Sequence, residues 1–442
     1  MTPSEARVFP CAGGGRPAQS ADRLPRGFAF VVLAQFASAL ADNALLIVAI
    51  AWLVETGRPG WWAPLLKFAF TLSYVLLAPV LGPLADAVPK GRLMAVMNGA
   101  KTIGVVLLAF DVHPLLAFAV VGFGAAAYAP AKYGLVTEIV GPARLVAANA
   151  WLEVSVVGAA LLGTVLGGML VSPLSSGLTK AAGCLPGLPP DIDACGPLPV
   201  AVLTVLTLYA VAGLLNAFIP DSGARYPGRS IHPVALVRDF AQGCSLLWSD
   251  RLGGLSLAVT TLFWGFGATL QFAVLKWAAQ SLGLALDRAA YLQAIVAVGV
   301  VAGVAWAGRH LTLRHAPRLL PVGVLLGLMV PVVAMTSSLW LALPLLLLLG
   351  AVGGVLVVPM NAMLQHRGFR LLTAGRSIAV QGFHENTSVL VMLALYALML
   401  WLQIPIGWLM TGFGGSIAVG MMLLAWRERR LGPVADLARH GL

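Results

Sequence analysis

The chain has 442 residues, 59% of them hydrophobic and only 10% charged, with a net charge of +11. Soluble domains carry roughly a quarter charged residues, and a water-surrounded core of this size has no room for so much apolar surface, so a soluble globular protein is excluded. Nucleic acid is excluded as a partner by where the charge sits: 21 of the 28 Lys and Arg fall in alternate loops, the pattern by which membrane proteins fix their orientation.

Residues 1–27 are polar, aperiodic and rich in Gly, Pro and Arg, which predicts a disordered tail without a function of its own. Crossing ~30 Å of hydrocarbon takes about 20 residues of helix. Twelve stretches qualify, near 28–53, 64–84, 93–111, 115–136, 146–172, 198–219, 253–278, 288–308, 319–337, 340–362, 376–400 and 405–426. The first is too long for a signal-peptide core and lacks a small-residue cleavage site, so it reads as a retained helix. With the basic loops inside, both termini are predicted to be cytoplasmic, and only Arg58, Lys180 and Arg288 fall in loops on the other side.

Span one carries Asp42 followed by Asn43. An ionised group at a helix centre costs about 2.5–3.5 kcal/mol on insertion scales, so such residues should be few, paired and functional. Asp42 has no cation on its own helix, so its partner must come from elsewhere. Between spans two and three lies GPLADAVPKGRL, in which Gly82 permits a close helix contact while Asp86 is placed to cap a neighbouring span and to pair with Arg92. Lys101 in span three reads as a structural partner. Lys132 in span four and Glu153 in span five lie at similar depth. Two readings stand side by side: an internal ion pair between them that holds the first half together, or a Lys132 that meets a substrate phosphate while Asp42 and Glu385 receive a cationic or hydroxylated head group.

Cys184 and Cys195 bracket the loop CLPGLPPDIDAC, which the charge pattern places outside, where a local disulfide or two free thiols are equally compatible with the sequence. The longest polar stretch, Ile219 to Arg251, divides the chain into bundles at 28–219 and 252–427, with a linker at 220–251 and a tail at 428–442. The halves resemble each other at an offset of 229 residues, which matches Gly124 to Gly353, Pro130 to Pro359, Lys132 to Asn361 and Asp42 to Gln271. Related halves about an axis along the membrane normal, with a site between them at mid-membrane, are a recurring transporter plan. Lys67 and Lys276, near helix ends, are predicted to reach the interface. Span eleven carries Glu385 and Asn386, the third acidic position within the membrane. His366 and His384 are isolated and read as polar neighbours of other groups. No nucleophile elbow, phosphate loop or clustered Cys/His spacing is present, so neither enzyme activity, cofactor nor metal is expected.

The blocks AQFASALADNALL (34–46), GAAAYAPAKYGLVTEI (124–139), FWGFGATLQFAVL (263–275), VVPMNAMLQHRG (357–368) and GRSIAVQGFHENTSVLVML (375–393) resemble the bacterial lysophospholipid transporter (LplT) family of the major facilitator superfamily, in order and spacing from about residue 28 to 427. That resemblance implies an all-α fold of twelve helices in two pseudo-symmetric six-helix bundles, with spans one, four, seven and ten lining a cavity. It implies a monomer in the bacterial inner membrane that moves lysophosphatidylethanolamine and lysophosphatidylglycerol from the outer to the inner leaflet, where a separate acyltransferase/acyl-carrier-protein synthetase re-acylates them. Carried over by motif, Asp42 and Asn43, Lys132, and Glu385 with Asn386 become substrate-binding candidates, joined by Gln271 and Asn361 from the internal repeat, while Gly82, Asp86, Arg92 and Glu153 are structural or gating candidates. The family has Arg where this chain has Gln271, so head-group preference stays open, as do two rival functions: a proton-coupled permease or drug exporter of the same fold, and a membrane-embedded acyltransferase.

Overall fold

In hydrocarbon a backbone must satisfy its own polar groups, so apolar runs of this length fold as helices. The computed structural model describes residues 24–25, 27–57, 62–110, 112–172, 197–224, 226, 232–284 and 286–431. Its helices are α1 (Phe28–Glu55), α2 (Trp62–Leu76), α3 (Ala78–Ala87), α4 (Lys90–Ala109), α5 (Pro114–Ile139), α6 (Leu145–Leu170), α7 (Pro197–Ala217), α8 (Pro233–Ser249), α9 (Arg251–Ser281), α10 (Leu286–His310), α11 (Leu320–Ala334), α12 (Leu339–Leu371), α13 (Ala374–Trp401) and α14 (Ile406–Arg430). Eleven are long and apolar enough to cross a membrane, and α2 with α3, bent by 65°, brings the number to as many as twelve. The bend falls beside Pro79, which has no N–H for the helical ladder and whose ring crowds the preceding turn.

Each predicted stretch corresponds to one of these spans. The helix the sequence reading left out is α8, inside the stretch assigned to the linker. It begins at Pro233, a residue suited to a first helical turn. Its Leu236, Phe240 and Gly243 line a groove against α3 and α13. A search for 20-residue apolar runs passes over a helix this short and this two-sided. Cys184 and Cys195 lie outside the described residues.

In the first half α1 packs on α6 and α7, α4 on α5 and α7, and α2 on α5; in the second, α10 packs on α12, α11 on α14, and α9 on α12 and α13. Lipid offers no hydrophobic drive for helices to associate, so close backbone approach between small residues has to supply the attraction. Between α10 and α12 two facing pairs of glycines do this, Gly299 with Gly303 and Gly350 with Gly354. A methyl group at Gly303 would fall 2.0 Å from the carbonyl oxygen of Ala351, and one at Gly350 would fall 2.1 Å from that of Val296. Gly303→Val should therefore cost at least about 1–3 kcal/mol, the usual range for overpacking. The expected readout is a lower thermal midpoint of the purified protein in detergent, and an unchanged midpoint would contradict this packing.

The halves meet through α3 and α5 against α13, and through α6 against α10 and α12. A Cβ on Gly82 would lie 2.9 Å from the Cα of Arg376, so the expected close contact exists and crosses between halves. Asn149 and Gln365 exchange two hydrogen bonds of 2.9 and 2.8 Å at the same end. The molecule is thus sealed at the end that carries the 82–93 loop.

Candidate functional site

Asp86 is the centre of that seal. Thr373, the N-cap of α13, makes no cap of its own; instead Asp86 accepts from the Thr373 hydroxyl, from the Gly375 N–H at 2.8 Å and from the Arg376 N–H at 3.3 Å. A carboxylate from one half thereby satisfies orphan donors and the dipole of a helix in the other. The expected partnership with Arg92 is corrected. Arg92 is exposed, while Lys90 at the start of α4 points inward to Glu138 at 2.6 Å. Two residues along a helix is about 200° of rotation, which sends Arg92 to the opposite face. Tyr226 and Ser222 also donate to Glu138, at 2.9 and 2.6 Å, and burial together with the Glu138 charge pushes the Tyr226 phenol well above its ordinary value. Asp86→Ala should loosen the seal by about 1–3 kcal/mol, the cost of stranding buried donors. Maleimide labelling of a cysteine placed at the buried Ala379 should rise several-fold in that variant, and equal labelling would show that Asp86 does not hold the ends together.

Within the membrane Asp42 finds its partner in Lys101. The ammonium lies 2.9 and 2.8 Å from the two carboxylate oxygens and 2.9 Å from the Ser38 hydroxyl. Tyr209 donates to Asp42 at 2.7 Å, and Ser38 donates to Asn98 at 2.7 Å. Helices α1, α4 and α7 are therefore tied by one polar network, and Lys101 has the structural role expected of it. Its side chain is 2% exposed and that of Asp42 19%, so of the two the aspartate presents the more open edge to the adjoining cavity.

That cavity is lined by Gln35, Ser38, Asp42, Lys101, Tyr128 and Lys132, with Tyr74 on its α2 side. Lys132 reaches it from α5, donates to the Gln35 side-chain oxygen at 3.0 Å and lies 4.1 Å from the ring centroid of Tyr133. The expected alternative of a Lys132–Glu153 ion pair is not formed: among the described residues the two interact at a distance, outside ion-pair contact. A buried cation facing a polar cavity with only a neutral hydrogen-bond acceptor is an anion-receiving arrangement.

Glu385 stands on α13 with a different set of neighbours. Gln381 donates from Nε2 both to Glu385 at 2.9 Å and to Asn361 Oδ1 at 3.2 Å, and Thr260 of α9, whose hydroxyl donates to the Leu257 carbonyl of its own helix at 3.3 Å, lies beside Glu385. Asn361 and Glu385 are thus brought together, as are Asp42 and Lys132, in two clusters on opposite halves. The charge that reaches Glu385 is Glu153, and Tyr133, the neighbour of Lys132, interacts with both acids. Three candidates fall elsewhere. Asn43 and Asn386 donate back to carbonyls of their own helices, Ala39 and Gly382, at 2.8 Å each, and a Cβ on Gly163 of α6 would meet Asn43, which marks that residue as a packing surface. Gln271 is exposed and bonded to Gln293 of α10. His384 has both ring nitrogens engaged, by the Val380 carbonyl at 2.8 Å and the Trp248 indole at 3.0 Å, as a polar neighbour should.

Sequence reasoning passed over Tyr209, Gln381 and Thr260. Gln381 left a signal, since it lies four residues before Glu385 on one helix face; Tyr209 and Thr260 left none, because an isolated Tyr or Thr in an apolar run is ordinary.

A family model described as Major Facilitator Superfamily matches residues 31–383. The chain is 42% identical over 385 residues to the lysophospholipid transporter LplT of Yersinia pestis (strain Pestoides F), spanning 87% of this chain and 89% of that protein. In fold it is similar to the human organic anion transporter MFSD10 (TETRAN), with a TM-score of 0.70 at 16% identity over 90% of this chain and 100% of that one. It is also similar to the E. coli fucose:proton symporter FucP, with a TM-score of 0.67 at 14% identity over 90% and 98%. With the fold, the cross-half seal and this degree of identity in agreement, the chain belongs to the lysophospholipid transporter (LplT) family of the Major Facilitator Superfamily.

Proposed function

We propose that the protein carries lysophospholipids across the bacterial inner membrane, from outer to inner leaflet, with both termini in the cytoplasm. The observation that carries this reading is Lys132, a cation 5% exposed that faces a polar cavity without an ion-pair partner among the described residues. A lysophospholipid pairs an anionic phosphate, which should not cross hydrocarbon unaided, with one acyl chain that can remain in lipid. Lys132 takes the phosphate, and Glu385 with Asn361 takes the amine or hydroxyl end of the head group. Asp42 is revised from ligand to charge partner, since Lys101 and Tyr209 already occupy it.

The basic loops set the sealed end in the cytoplasm, so head groups enter this state from the opposite face. Residues 28–219 and 252–427 are the two moving halves, and 220–251 joins them. Release follows when the Asp86 cap on α13 opens and the halves rock about the site. The product reaches a leaflet where a separate acyltransferase can use it; in this reading the transporter is a monomer and leaves acylation to that enzyme. Reconstitution tests this directly: proteoliposomes should move fluorescent lysophosphatidylethanolamine between leaflets, faster than empty vesicles and with no acylated product. Absence of exchange by folded, correctly inserted protein would remove the assignment.

A further inference from the structure

Glu385 is a carboxylate that no cation among the described residues answers. Among the described residues the charged group that reaches it is Glu153, another acid, whereas Lys132 interacts with Glu153, Lys101 and Asp42. An ionised carboxylate so placed is costly unless a positive charge joins it. Around it stand oxygen-bearing groups from three helices: Thr260 on α9, 0% exposed, Asn361 on α12, 5% exposed, and Gln381 on α13, 7% exposed. Gln381 carries the second, independent sign. Its Nε2 bridges Asn361 Oδ1 and Glu385 Oε1, while its own Oε1 is buried without a hydrogen-bond partner. Buried amide oxygens are rarely left in that condition.

We propose that Glu385, Gln381, Asn361 and Thr260 form a binding site for a monovalent metal cation, with sodium as the ion. A half-turn of the Gln381 amide exchanges Nε2 for Oε1. Oε1, Asn361 Oδ1 and Glu385 Oε1 then converge on the point that the amide N–H bridges without the ion, and the Thr260 hydroxyl supplies a fourth oxygen. Hard cations take oxygen sets of this kind, and one carboxylate among neutral donors matches one positive charge. The ion neutralises Glu385 and draws α9, α12 and α13 together. As Glu385 also faces the head group in the function proposed above, sodium and lysolipid share one carboxylate, and transport becomes sodium-dependent; that coupling rests on the lysolipid reading, whereas the ion site does not.

Two measurements on the full chain separate these claims. Radioactive sodium binding to purified protein without lysolipid should saturate at one ion per chain, and it should fall at least about tenfold in Gln381→Leu and in Thr260→Val, each checked for a native thermal midpoint. In proteoliposomes, exchange of fluorescent lysophosphatidylethanolamine should slow at least about tenfold when N-methylglucamine replaces sodium. Saturable sodium binding that disappears in both variants supports the site even if no lysolipid moves, an outcome that would count against the function alone. Absence of sodium binding, or binding equal to wild type in either folded variant, overturns the site. Exchange that ignores sodium but accelerates on acidification overturns the coupling, and with it sodium as the transport partner of Glu385 in favour of a proton.

Discussion

Lys132→Ala should lower lysolipid transport by at least about tenfold to a hundredfold while the protein still inserts and folds. Both halves of that expectation come from the same geometry. The ammonium is buried, aimed into the cavity and, among the described residues, hydrogen-bonded only to a neutral Gln35 oxygen. Hydrogen bonds between charged groups contribute about 1.5–3 kcal/mol, and each 1.4 kcal/mol is tenfold in affinity, so a phosphate that loses this partner loses most of its hold. Stability should suffer less than from breaking a contact pair, because among the described residues Lys132 makes no ion pair and meets the charge of Glu153 only at a distance. Lys132→Arg should recover part of the activity, since it restores the charge with a fork that the cavity was not shaped to hold. Transport at wild-type rate in Lys132→Ala would rule this lysine out as the phosphate ligand.

The contrast with Lys101 shows what a sequence does and does not reveal about such sites. Both lysines announce themselves, as ionised residues within apolar runs. Nothing in spacing says that Lys101 sits against both oxygens of Asp42 while Lys132 faces an open cavity, because the difference arises from how α1, α4 and α5 rotate against one another. The fold was legible for the reason the bilayer imposes: spans must be apolar and about 20 residues long, and basic loops alternate. Asp86 was legible as a cap, but the helix it caps belongs to the other half, 287 residues along the chain, a distance beyond local reasoning. Asn43 and Asn386 were carried over by motif beside acids that matter, yet an Asn on a helix has its own carbonyl four residues back as an acceptor and uses it. Gln271 entered through the internal repeat, and the repeat relates positions without making their side chains equivalent. The helix α8 escaped because its apolar stripe is one face of a short helix, where span counting looks for an unbroken run.

The second large effect concerns Asp42 and Lys101. Removing one partner of a buried ion pair costs about 3–5 kcal/mol, because the other charge is left uncompensated in a medium that cannot solvate it. Asp42→Ala and Lys101→Ala should therefore each reduce the amount of folded protein and lower its thermal midpoint, in contrast to Lys132→Ala. Replacing both at once by residues of similar volume, Asp42→Leu with Lys101→Met, removes the pair without stranding either member and should be much milder than the sum of the single changes. Strictly additive losses in this double-mutant cycle would show that the two residues are not coupled. Transport by the double variant then separates two roles for Asp42. If the aspartate serves to hold Lys101 and Tyr209 in place, as its 2.7–2.9 Å contacts indicate, the repacked protein should regain a substantial fraction of wild-type exchange. If the edge that Asp42 shows to the cavity is what receives the head group, the double variant should be stable and inactive, and the revision of Asp42 from ligand to charge partner would fail.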